Sequence, residues 1–264
     1  MPRIYPLFSS SKGNCTYIGT PESGVLIDCG ASCRKICNAL ELNGLSTSAV
    51  KAIFITHEHS DHISGLKNFT KKTGIPVYAQ SMTMDTLFDG GYINSHSYDM
   101  SGEVCIGNMA VSCFETSHDT PQSCGYRVDF SDGKSCCVCT DLGYVSDTVR
   151  NAVTGSSAVL LEANYDVNML RNGPYPVYLK ERIRSDHGHL SNDDSGNFGA
   201  ELIKSGTTRL ILGHLSQENN TPATAEYTVE SIIAQNGLQR NSDYILSCAP
   251  VETCLLYTSP SPRD

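Results

Sequence analysis

Residues 57–62 read His-Glu-His-Ser-Asp-His, directly after an apolar, β-branched run at 52–55. Such a run bounded by polar residues reads as a buried strand, so three imidazoles and two carboxylates gather at a strand's end. Side chains two apart in extended chain share a face, which lets His57 and His59 reach one metal ion. Asp61 and His62 follow where the chain turns toward a helix, and they can serve a second ion beside the first. Imidazole and carboxylate suit zinc or a similar first-row divalent ion. Paired ions activate water and offset the charge that develops on a reacting group. Taken alone, a histidine-rich polar loop is the plainer alternative.

The elements that must position these groups alternate regularly. Strands are predicted at 4–8, 15–19 and 24–29, the last carrying Asp28 near its end. A helix over 31–42 closes at Asn43-Gly44, and further helices span 64–73 and 81–88 around a strand at 76–79. Strands follow at 104–106, 110–116, 125–130 and 135–140, with Asp132-Gly133 as a hairpin signal. They deliver His118 and Asp141. In the second half, 158–162 is a strand ending in an acid, with a helix from about residue 166. Helices are expected over 176–184, with Pro176 in the first turn, and after Ser191, a natural N-cap. A strand at 209–212 ends in Gly213-His214, a helix covers 221–235 and a last strand covers 244–247. Five strand ends thus deliver Asp28, the 57–62 cluster, His118, Asp141 and His214. Strands followed by helices, with ligands along one rim, imply an α/β fold of layered sheets covered by helices.

The 264 residues can bury a real core, and no linker divides them, so 1–253 reads as one domain. Residues 254–264 resemble a translated sequencing adapter and are expected to be a non-native tail. No run of eighteen apolar residues is present, so no membrane span is expected. The N-terminus lacks the apolar core of a signal peptide, which points to a cytoplasmic protein, with the twelve cysteines mostly as thiols. Cys136, Cys137 and Cys139 read as buried small side chains, and Cys33 and Cys37 have no second pair to complete a zinc site. A net charge of −9 argues against general coating of nucleic acid, but not against a local phosphate-binding groove. Ser9-Ser10-Ser11-Lys12-Gly13-Asn14 offers hydroxyls and backbone donors, making Ser10, Ser11 and Asn14 candidate phosphate contacts. An ordinary hairpin turn explains that stretch equally well. Arg171, Lys180, Arg182 and Arg184 could line a strand-binding groove, or form a solvated helix face.

The ordered set Asp28, His57-x-His59-x-Asp61-His62, His118, Asp141 and His214 resembles the five motifs of the metallo-β-lactamase superfamily. Within it, the stretches at 9–14, 56–62, 140–147, 188–192 and 212–216 resemble the YycJ (WalJ) group of bacterial hydrolases. The resemblance implies a four-layer αβ/βα sandwich with two divalent ions, zinc or manganese, along one sheet edge. It assigns His57, His59 and His118 to one ion and Asp61, His62 and His214 to the other, with Asp141 bridging and Asp28 orienting a ligand. Tyr165 stands where some relatives have histidine and receives no metal role. The implied activity is that of a nuclease with a link to DNA repair.

Other branches fit less well. An all-histidine first site with an Asp141 bridge disfavours the lactamases, and His59 in place of glutamate disfavours the flavo-diiron branch. Only 73 residues separate Asp141 from His214, little room for an inserted β-CASP domain. No long arm of the RNase Z kind is visible. The expected function is therefore a two-metal phosphodiesterase acting on DNA, with Asp61 and Asp141 catalytic and no obligate protein partner. A hydrolase of a small phosphodiester or thioester is the alternative, and a non-catalytic metal-binding regulatory module a third reading. His189, just before Ser191, is expected to protonate the departing alkoxide, since histidine is the usual donor near neutral pH. Fixing the helix entrance is its plainer role.

Overall fold

The computed structural model describes residues 3–93, 97–100 and 102–252. The segment 254–264, expected to be foreign, lies outside the described residues. Two sheets face one another. The first holds β1 (Arg3–Ser10), β2 (Gly13–Gly19), β3 (Gly24–Ile27), β4 (Val50–Phe54), β5 (Val77–Ala79) and β6 (Ser97–Asp99), side by side in that order. Its first three strands are antiparallel and the rest join in parallel. The second sheet begins with the antiparallel strands β7 (Val104–Ile106), β8 (Met109–Glu115), β9 (Cys124–Phe130) and β10 (Ser135–Cys139). It continues in parallel through β11 (Ala158–Glu162), β12 (Arg209–Gly213) and β13 (Ile245–Cys248).

Both sheets follow one logic. Tight turns permit antiparallel pairing, whereas parallel neighbours need a crossover. The crossovers of the first sheet carry α1 (Cys33–Leu42), α2 (Ser60–Ile63), α3 (Leu66–Thr73) and α4 (Ser81–Asp89). Those of the second carry α5 (Asp147–Val153), α6 (Val167–Asn172), α7 (Val177–Ile183), α8 (Asn192–Lys204) and α9 (Pro222–Gln235). Ile18, Val25, Ile27 and Phe54 meet Val111, Tyr126, Val138 and Leu160 between the sheets. The opposite face of the first sheet packs Ile36, Leu40, Leu66 and Phe69, and that of the second packs Val149, Phe198, Leu202, Val229 and Ile233. Four layers result, helix, sheet, sheet, helix, as the resemblance implies. Strands buried on both faces read as continuous apolar runs, and β3, β10 and β11 are buried at every residue. Cys136, Cys137 and Cys139 therefore sit in the core.

Several boundaries depart from the sequence reading. The helix expected over 64–73 is α3, which starts at Leu66, and a separate short helix, α2, precedes it across Ser64-Gly65. Gly65 sits so close to the chain before α1 that a Cβ would lie 1.8 Å from the Ala31 carbonyl oxygen. The serine-rich stretch at 9–14 is a hairpin: Ser10 pairs with Gly13 across a turn of only Ser11 and Lys12. α5 was not anticipated, because it buries only Val149 and Val153 and gives a faint periodic signal. Its cap Ser146 and first-turn Asp147 are the cue that could have found it. No helix among the described residues is long and apolar enough to cross a membrane.

Candidate metal centre

The ends of β3, β4, β8, β10, β11 and β12 open on one rim, and the backbone there is unusual. Asp28, Asp141 and His214 all adopt positive φ, at 64°, 60° and 55°. Left-handed conformation is costly for residues with a Cβ and clusters at functional sites. Here it turns the chain sharply at the end of a strand, so that the side chain faces the rim rather than following the pleat.

The side chains fall into two triads. Ligand atoms of His57, His59 and His118 lie within 4.8 Å of one another, as do those of Asp61, His62 and His214. Asp141 stands between, with Oδ2 3.4 Å from His62 Nε2 and Oδ1 3.7 Å from His118 Nε2. The tautomers of four histidines are fixed from behind. His62 Nδ1 donates to Asp28 Oδ2 at 2.8 Å, His118 Nδ1 to the Gly188 carbonyl at 3.1 Å, and His214 Nδ1 to Glu162 Oε1 at 2.8 Å. Thr56 Oγ1 donates to Asp28, which leaves it to accept from His57 Nδ1 at 3.0 Å. Each of these rings therefore turns a bare Nε2 lone pair inward, the form in which imidazole coordinates a metal.

Those lone pairs converge with the carboxylates of Asp61 and Asp141, and the chain satisfies them only in part, through Asn14 Nδ2 on His62 Nε2 and Asp61 Oδ2 and through His59 Nδ1 beside His57 Nε2. Asp141 Oδ2 and His214 Nε2 are buried without a hydrogen-bond partner. Buried polar atoms are otherwise almost always paired. The donor set, nitrogen and carboxylate oxygen, suits first-row divalent ions. The electrostatics agree. Burial works against charge on His62, but Asp28, Asp141 and Asp61 outweigh it and raise its pKa to about 9. Burial would raise the Asp61 carboxyl, yet a protonated His214, its Nε2 3.7 Å away, and the charge of His62 hold it well below the usual range. His57, buried among other imidazoles, is pushed well down. Without a cation, protons on some of these histidines must balance the acids.

Asp28 is buried behind the ligands. It accepts from the Thr56 amide at 2.9 Å, the Thr56 hydroxyl and His62. Glu162 does the same work on the other sheet and escaped the sequence reading. Fully buried, its Oε1 accepts from both His189 Nδ1 and His214 Nδ1 at 2.8 Å. Its Oε2 accepts the amides of Leu142 and Leu190 at 2.9 and 3.1 Å. The hydrogen bonds of His189 and His214 hold its carboxyl far below the normal range despite burial. Glu162 joins Asp141, His189 and His214 in a further convergent group, but its oxygens are already spent on hydrogen bonds. The available signal was the acid at the end of a buried strand, the same signal that marked Asp28.

His189 stands on the rim, its ring 5.1 Å from that of His118 and 5.3 Å from that of His214. Ser191 does cap α8, accepting from the Asp194 amide. Gly143 allows the turn before His189 to approach, since a Cβ there would fall 1.9 Å from the Asp186 carbonyl oxygen. Asn14 reaches the site, with Nδ2 3.2 Å from Asp61 Oδ2 and 3.1 Å from His62 Nε2. Ser10 is buried under the hairpin turn, where its hydroxyl accepts from the Lys12 amide, and Ser11 is exposed at the tip. Arg182 and Arg184 part company. Arg182 pairs with Asp119, whose other oxygen lies 3.3 Å from His118 Nε2, whereas Arg184 lies toward Tyr165. Tyr165 is buried, and its backbone bridges to Ser191.

Residues 24–215 match the family described as Beta-lactamase superfamily domain. Exodeoxyribonuclease WalJ of Streptococcus pneumoniae serotype 2 (strain D39) is 36% identical over 244 residues, covering 90% of each chain. Exodeoxyribonuclease YycJ of Bacillus anthracis is 36% identical over 235 residues, covering 88% of this chain and 89% of its own. Among solved structures, the metallo-beta-lactamase fold protein YhfI of Bacillus subtilis superposes with a TM-score of 0.70 at 14% identity, over 93% of this chain and 95% of its own. That likeness concerns the fold.

Proposed function

The chain belongs to the metallo-β-lactamase superfamily, alongside the WalJ and YycJ exodeoxyribonucleases, and is a metal-dependent hydrolase; we propose that it cleaves DNA phosphodiesters from an end, with two divalent ions. The observation that carries this reading is the pair of triads with Asp141 beside both, a buried carboxylate with an unpartnered oxygen. His57, His59 and His118 would hold one ion and Asp61, His62 and His214 the other, with zinc and manganese both suited to such donors. Two such ions, when bound, lower the pKa of water and offset charge on a phosphoryl group.

The chain's own residues do the rest. Asp28 and Glu162 hold His62 and His214 in the coordinating tautomer. Asp61 and Asp141, kept ionised by their histidine neighbours, supply the negative charge that retains cations. A departing 3′ or 5′ alkoxide is a poor leaving group and needs a proton. His189, with Nδ1 engaged by Glu162, keeps Nε2 free to deliver one at the rim. Purified protein supplied with manganese or zinc should shorten labelled DNA progressively from one terminus. Hydrolysis of bis-p-nitrophenyl phosphate with no action on single- or double-stranded DNA would instead mark a small-phosphodiester enzyme. Preference for RNA would reassign the polymer.

A further inference from the structure

Among the described residues, α7 is the one helix of the second half that buries no residue. Its Tyr178 is 73% exposed and Val177 70%, so neither contributes to a core. The helix is nevertheless fixed in place. Lys180 Nζ donates to the Arg171 and Gly173 carbonyls at 2.9 and 2.7 Å, which ties α7 to the end of α6. Arg182 Nε donates to Asp119 Oδ2 at 2.6 Å, and Asp119 Oδ1 lies 3.3 Å from His118 Nε2 and 3.9 Å from His59 Nε2. The guanidinium therefore marks where α7 meets the candidate metal rim.

Tyr178 and Arg182 are four apart, so they share a helix face about one turn apart, about 6 Å along the axis. The phenol ring therefore projects from the helix face that carries the rim-anchored guanidinium, at about the reach from a phosphodiester to a neighbouring base. Local charge favours a polyanion. Residues 167–189 carry four basic side chains against two acids, in a chain whose net charge is −9. Exposed aromatic rings beside basic groups are how proteins hold single strands, because every base has a face to stack. We propose that Tyr178, on the α7 face anchored by Arg182, is a stacking platform for a nucleobase next to the scissile phosphodiester of single-stranded DNA. This inference rests on the phosphodiesterase reading and adds the strand form that the site receives.

The chain contains no tryptophan, so Tyr178→Trp places a single fluorophore at the platform. Its emission should be quenched by an oligonucleotide with non-hydrolysable phosphorothioate linkages, and much less by the same strand with abasic terminal positions. The wild type should bind the intact strand roughly tenfold more tightly than the abasic one. Tyr178→Ala should erase that difference and Tyr178→Phe should restore it, since stacking needs the ring and not the hydroxyl. An exposed position leaves folding untouched by these changes. Unquenched emission, or a base preference that survives Tyr178→Ala, overturns the platform while DNA cleavage stands. A wild type that neither binds nor cuts DNA overturns the reading of DNA as substrate and the platform with it.

Discussion

At the edge of the first sheet, Asp28 accepts from His62 and from Thr56, partners 34 and 28 residues away. At the edge of the second sheet, Glu162 accepts from His189 and His214 and from the amides of Leu142 and Leu190. Both are buried carboxylates at the end of a central strand, and both set a histidine's tautomer from behind. They differ in what each gathers. Asp28 braces a single cluster that is contiguous in sequence. Glu162 joins three separate loops, and through His189 it reaches a side chain outside the two triads. A defect at Asp28 should therefore stay within that cluster, reaching His62 directly and His57 through Thr56, while a defect at Glu162 should reach His214, the proposed proton donor His189 and the local backbone together. Evenly matched sites in both sheets would have made the two replaceable in the same way.

The largest effect is expected between the two edges. Asp141→Ala should bring bound metal below two equivalents and reduce hydrolysis of every substrate by far more than the roughly 10–100-fold typical of groups behind the ligands. Metal analysis on the purified variant checks this, and full loading with full activity would remove Asp141 from the centre. His189→Ala should lower DNA cleavage by about 10²–10⁴-fold. Hydrolysis of bis-p-nitrophenyl phosphate should be spared, because phenolate departs without a proton. Parallel losses on both substrates would leave His189 only its place at the entrance of α8.

The direct contest pits Glu162→Gln against Asp28→Asn. Both should weaken metal binding, by roughly 10–100-fold. Glu162→Gln should lie at the upper end and also depress DNA cleavage beyond its metal loss, because His189 loses its partner. Titrating metal into each variant, then assaying at saturation, separates the two contributions. Equal behaviour at saturating metal would break the contrast. Arg182→Ala and Arg184→Ala should give the smallest effects. Exposed ion pairs contribute little to stability, so the readout is affinity for DNA. The loss should be confined to Arg182, which meets Asp119 at the rim, and Arg184→Ala should bind as the wild type does. A greater loss at Arg184 would move the strand path toward Tyr165.

Much of the first edge was legible in the sequence. The spacing of His57, His59, Asp61 and His62 works through local backbone geometry, since the first two lie two apart in the short loop after β4 and the helix α2 brings the others round. Strand ends carrying Asp28, His118, Asp141 and His214 could be read from apolar runs that stop at a polar residue. The cap at Ser191 and the burial of Cys136, Cys137 and Cys139 follow from equally local rules. Residue order cannot say which distant loops meet. Glu162 looked like one more acid after a strand until β10, β11 and β12 paired in parallel and brought residues 142, 162, 189 and 214 to one edge. Arg182 and Arg184 were alike as basic residues of one segment, and only the packing of α7 against the loop of Asp119 told them apart. The serines at 9–14 offered donors either to a ligand or to their own turn, and the register of β1 on β2 chose the turn for Ser10. Hydrogen-bonding capacity and apolar periodicity belong to each residue and its near neighbours, whereas which partners satisfy that capacity depends on where separate strands come to rest.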